Sequence, residues 1–161
     1  MSFLQYVIAA VIAFSGVIAG AVLALLTKEE MPTAKKYFPL LQKVLIISTV
    51  VVFLNYFKIG LIIKIVVYAL LIFTVLRAKT LNFYPVLAVL FFLLGQSSQS
   101  LFLISIMVFL YGFPTGSMYV INNKIRKWQA LVKPIALTYG IFLIVAITLQ
   151  FLYSVFVLKQ F

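Results

Sequence analysis

Glu29 and Glu30 are the only carboxylate side chains in the sequence, and there is no histidine and no cysteine. Thiol nucleophiles, imidazole acid–base chemistry, disulfides and the commonest zinc and haem ligands are therefore missing. The two glutamates make a poor catalytic pair, because neighbouring residues on a helix do not face one another. A hard metal ion needs more oxygen ligands than they supply. With Lys28 before them and Lys35 and Lys36 beyond Pro32, they read as solvated salt-bridge partners or as the cap of a short surface helix. Tyrosines, serines and lysines remain available, but with the usual acids, bases, nucleophiles and metal ligands nearly absent an enzyme is disfavoured. No cofactor and no metal are expected.

Lys64 interrupts the third apolar run, and no such run holds a carboxylate to neutralise it. A buried lysine without a partner is costly or loses its proton. It reads as a snorkelling side chain, about 8 Å below the outer end of its helix at the α-helical rise per residue. The alternative is that Lys64 joins Asn55, Gln96, Gln99 and Gln150 in lining an outward polar vestibule for an anionic or polar ligand.

Residues 112–117 read Gly-Phe-Pro-Thr-Gly-Ser. Pro114 removes one backbone hydrogen bond and is expected to kink its helix, with Gly112 and Gly116 giving room and Thr115 or Ser117 able to occupy freed carbonyls. Broken helices at membrane depth are where carriers bind substrates. A single break without a counterpart in a matching half reads first as an ordinary bend.

Near the start, Ala9, Ala13, Gly16, Gly20 and Ala24 place small residues on one helical stripe, with Gly16 and Gly20 forming a GxxxG pair. Small residues let helix backbones approach closely, so packing gains where lipid removes the hydrophobic drive. The stripe reads as packing against another helix of this chain. The sharper alternative is a face for a partner subunit, in a homo-oligomer or a hetero-oligomer. Between 122 and 133, Ile125, Trp128 and Leu131 share one face, ringed by Lys124, Arg126, Lys127 and Lys133. That is an interfacial amphipathic pattern, with the indole at headgroup level and the cations near lipid phosphates.

The elements that must hold these groups follow from the apolar runs. The 161 residues are 66% hydrophobic and only 9% charged, with a mean hydropathy of +1.25. A small soluble domain cannot hide that much apolar surface from water, whereas lipid does not penalise it. A helix needs about 20 apolar residues to cross the hydrocarbon core. Spans are predicted at about 3–26, 39–57, 59–76, 81–97, 100–121 and 134–158, within one transmembrane domain. The fourth is short, and a five-span alternative makes it re-entrant. The polar run 96–100 reads as an outer turn or as a helical extension of that fourth span. The first run lacks the preceding basic residues and the short core of a cleaved signal peptide, so it reads as a retained span.

Ten of the thirteen cationic side chains fall in or beside the first, third and fifth connections, and three on the other side. Under the positive-inside rule this places the odd connections in the cytoplasm and both termini outside. The formal net charge of +11 then reads as retention signal and attraction to anionic headgroups rather than as nucleic-acid binding. Pro39, Pro85 and Pro134 each open a span after an inward connection, as suits a first helical position. They divide the chain into three helical hairpins. The expected fold is an all-α polytopic membrane bundle of about six transmembrane helices, both termini non-cytoplasmic, in the cell membrane. The expected function is a non-catalytic accessory or assembly partner acting through the stripe on the first span. The alternative is a small carrier or lipid-handling protein using the kinked fifth span and the outer polar cluster.

Overall fold

The structure, a computed structural model, describes residues 2–27, 29, 31–57, 60–77, 82–123, 125 and 131–158. Among them every regular element is a helix. In order these are α1 (Phe3–Leu26), α2 (Met31–Ala34), α3 (Phe38–Tyr56), α4 (Leu61–Arg77), α5 (Tyr84–Leu94), α6 (Ser98–Asn122), α7 (Val132–Tyr139) and α8 (Ile141–Leu158). Three of them, α1, α3 and α6, are long and apolar enough to cross a membrane, and α7 with α8 makes a fourth if the bent pair is one span. α5 has 11 residues, so it reaches only about 16 Å.

Local chemistry explains most boundaries. Ser2 and Gln5 close a reciprocal capping box on α1, which satisfies two amide donors at its start. Prolines sit in the first turn of α3 and of α5, where a missing N–H is harmless. The run 96–100 is a turn and a helix start, not an extension of α5. α5 ends at Leu94, and the Ser97 hydroxyl caps α6 by accepting from the Ser100 amide at 3.3 Å.

α1 and α6 form the centre, with α3 against α6, α8 against α5 and α1, and α4 on the outside against α3. The side-chain pairs give the directions. α1 and α6 run parallel: Gly16 faces Phe109 and Gly20 faces Phe113. α3 runs antiparallel to α6, since Gln42 meets Thr115 and Tyr56 meets Ser97. α8 is antiparallel to α1, with Phe3 and Phe151 rings 6.4 Å apart. It is parallel to α5, through Tyr84–Phe142 at 5.9 Å and Phe92–Tyr153 at 6.0 Å.

The core along these seams is aromatic and small. Tyr6, Phe91, Phe142 and Tyr84 form a chain of ring contacts with centroids 5.2, 5.4 and 5.9 Å apart. Tyr84 also meets Tyr111 at 5.5 Å and Tyr139 at 5.2 Å. Edge-to-face pairs at such distances add to what burial alone provides. The outer surfaces are apolar too: Ile62 is 79% exposed, Leu61 74% and Phe102 70%. Exposed apolar faces on this scale belong against lipid or another protein.

Candidate functional site

The two glycine-containing segments singled out in the sequence meet each other. A Cβ on Gly16 would strike the backbone of Phe109, and one on Gly20 the backbone of Phe113. From the other side, a Cβ on Gly112 would lie 2.5 Å from the Gly16 carbonyl carbon, and one on Gly116 would strike the Val17 carbonyl. Thus Gly112 and Gly116 are a second GxxxG pair, laid against the first. The contact is sealed by Ser117, whose hydroxyl donates to the Gly20 carbonyl at 2.8 Å. Ala13, Gly16, Gly20 and Ala24 are buried inside the chain and Ala9 is partly so. The stripe on α1 is therefore taken up by α6, as packing within one chain. α6 runs from Ser98 to Asn122 as one helix that includes Gly112, Pro114 and Gly116. Gly112 and Gly116, on either side of the proline, both lie against the backbone of α1. Thr115 donates to the Tyr111 carbonyl and accepts from the Gln42 amide, both at 2.8 Å.

The interrupted helix lies elsewhere. α7 and α8 meet at Gly140 with a bend of 49°. A Cβ there would collide with the Ala136 carbonyl, so the tight turn demands glycine. One carbonyl freed by the bend, that of Thr138, accepts from the Asn82 amide at 3.4 Å. The same Asn82 turns its oxygen to the Tyr84 backbone amide at 3.1 Å and so caps α5. The bend thereby rests on the start of α5, next to the tyrosines. The buried hydroxyls of Tyr84 and Tyr6 have no hydrogen-bond partner among the described residues.

The outer polar residues are brought to one end but into separate pairs. Lys64 donates to the Asn55 side-chain oxygen at 2.8 Å. Gln96 donates to the Gln150 side chain at 3.2 Å and to the Phe92 carbonyl at 2.8 Å. Gln150 is buried and Gln99 is exposed. Tyr56 donates to the Ser97 hydroxyl at 3.4 Å, and Ser100 donates to the Leu94 carbonyl. Gln99 apart, each of these side chains bonds to another of them, and none of them lines either described groove. The lysine thus has a neutral acceptor where the sequence offered no carboxylate.

No family model, no curated protein and no solved structure matches this chain. The site must therefore be judged on its own geometry. Two open grooves accompany the seams. One, of about 390 Å³, runs between α1 and α6 along Ala9, Ile12, Leu101, Ser105 and Phe109. The other, of about 350 Å³, lies at the α2–α3 elbow between Ala34 and Val44. Both are apolar. Of the expected headgroup residues, Lys133 is exposed on α7, while Lys124, Arg126, Lys127 and Trp128 lie outside the described residues.

Asn82, Gly140 and Tyr84 were not anticipated as a group. Only Gly140 carried a signal, as an isolated glycine in an apolar run. The second GxxxG spacing at Gly112 and Gly116 was there to be read, but the proline between them suggested a kink instead.

Proposed function

We propose that the chain is a six-pass protein of the cell membrane, both termini outside, working as a non-catalytic scaffold or assembly partner. The observation that carries this reading is the pairing of polar groups between helices. Lys64 with Asn55, Gln96 with Gln150 and Gln42 with Thr115 bond to one another, and none of them lines either described groove. Polar groups bonded across helices act as glue between them. The alternating helix directions, and the cations gathered on alternate connections, support an even number of passes. The brevity of α5 fits a pass enclosed by protein, since most of its side chains are buried and a short segment is tolerated where neighbours cover it.

With the α1 stripe occupied, assembly falls to α4. It packs mainly on α3, and its Ile62, Val66, Leu70 and Phe73 are each more than half exposed. The occupant we infer is an apolar transmembrane helix of another subunit.

Because the chain contains no cysteine, single cysteines test both parts. An impermeant thiol reagent on whole cells should label cysteines at Ser2, Gly60 and Gln99 and spare those at Lys35, Arg77 and Lys133. A mixed pattern overturns the topology. Cysteines at Ile62, Val66 or Phe73 should give membrane cross-links to a second chain; monomer alone from all three overturns the assembly role. A carrier is the second reading, favoured by the bend at Gly140 beside the unbonded Tyr84 hydroxyl. It moves the expected ligand site away from the outer cluster.

A further inference from the structure

The α2–α3 elbow carries its own chemistry. α2 ends at Ala34, three residues turn, and α3 starts at Phe38. The turn is closed by the Tyr37 amide donating to the Ala34 carbonyl at 2.9 Å, and the helix begins with the Leu41 amide donating to Tyr37 at 2.9 Å. This leaves a concave strip lined by Ala34, Tyr37, Phe38, Leu40, Leu41 and Val44, with a volume of about 350 Å³. That lies at the small end of the range for small-molecule sites. Leu40 is 61% exposed and Val44 50%, so the strip is open along its side.

Its mouth is cationic. The Lys36 ammonium lies 4.8 Å from the centroid of the Tyr37 ring, and Lys35 is exposed beside it. Among the described residues neither lysine pairs with a carboxylate. From Lys36 to Val44 the strip descends along α3 for about 12 Å at the helical rise. Reading down it, charge comes first, then an aromatic ring, then aliphatic side chains. A phospholipid presents the same order: anionic phosphate, glycerol backbone, acyl chain.

We propose that the α2–α3 elbow is a binding site for one anionic phospholipid, its phosphate over Lys35 and Lys36 and one acyl chain along Ala34, Leu41 and Val44. Two basic residues at a membrane surface give such a lipid an advantage of about thirtyfold over a zwitterionic one with the same chains. The apolar strip makes the preference specific to a chain-bearing phosphate rather than to any anion.

The test uses the full chain purified in mild detergent, with phosphatidylglycerol and phosphatidylcholine of identical acyl chains as probes and native mass spectrometry as the readout. The wild type should hold phosphatidylglycerol about thirtyfold more tightly. Lys35→Gln with Lys36→Gln should bring the two lipids within about threefold of each other. Leu41→Trp, which fills the strip, should weaken both; Ala34→Phe gives the same reading if Leu41→Trp fails to fold. Glycerol 3-phosphate, which has a phosphate and no chain, should not compete. Equal affinity for the two lipids in the wild type, or undiminished selectivity in the double lysine variant, overturns the site. Full competition by glycerol 3-phosphate overturns the lipid assignment in favour of a free-phosphate site.

Discussion

Replacing Gly112 by alanine probes the α1–α6 crossing most directly. The added Cβ would sit 2.5 Å from the Gly16 carbonyl carbon and the Val17 nitrogen. Both are backbone atoms within a helix, so neither can rotate aside as a side-chain tip would. Carbon atoms rest about 3.5–4.0 Å apart, so the two helices must part locally by about 1 Å. Such a gap forfeits about a quarter to a half of the dispersion attraction across the seam. It also stretches the 2.8 Å bond from Ser117 to the Gly20 carbonyl, and interhelical bonds of this kind contribute about 0.6 kcal/mol on average. Forcing a methyl into a filled core costs about 1–3 kcal/mol. Together these place the loss at about 2–4 kcal/mol, a factor of about 30 to 1,000 in the folding equilibrium. The assay is unfolding in mixed micelles of non-ionic detergent and dodecyl sulfate, followed by circular dichroism. Gly60→Ala is the internal control, because a Cβ there meets nothing within 4 Å; it should stay within about 0.5 kcal/mol of wild type or gain slightly. Gly16→Ala acts on the same contact. Once the helices have parted, the second methyl costs less, so the double variant should show a coupling of at least about 0.5 kcal/mol. Wild-type stability for Gly112→Ala, or strict additivity with Gly16→Ala, refutes the close crossing.

Two further substitutions separate structural from ligand-binding roles. Asn82→Ala removes both the α5 cap and the bond to the Thr138 carbonyl, and should lower stability by about 1–3 kcal/mol in the same titration; no change would mean that the bend at Gly140 stands without it. Lys64→Met breaks a single exposed-side bond to Asn55, so stability should fall by less than about 1.5 kcal/mol. A larger loss, or a ligand-induced thermal shift present in wild type and absent in the variant, would restore the outer vestibule.

Helices were legible wherever a long apolar run met an ordinary stop signal. The first run was predicted at 3–26, and α1 occupies Phe3–Leu26. The second was expected at 39–57, against Phe38–Tyr56 for α3. Hydropathy carries the fourth run to 97, whereas α5 ends at Leu94 and Ser97 caps the next helix, which hydropathy does not register. The sixth was drawn unbroken, although Gly140 divides it. What composition could not supply was the partner of each feature. The GxxxG pair on α1 announced a close contact but not with whom. Pro114 argued for a kink on local grounds, and nothing local announced that its flanking glycines lie against α1. Lys64 has no carboxylate within reach in sequence, but the Asn55 amide oxygen nine positions earlier accepts a hydrogen bond from it.

The pairing of α1 with α6 also sets a delay in biosynthesis. Ser117 and Gly20, which seal the seam, are 97 positions apart in the chain. At ribosomal rates of about 5–20 residues per second, α1 waits roughly 5–20 s for the helix that covers its glycines. Until then its grooved face stands open to whatever helix is nearby.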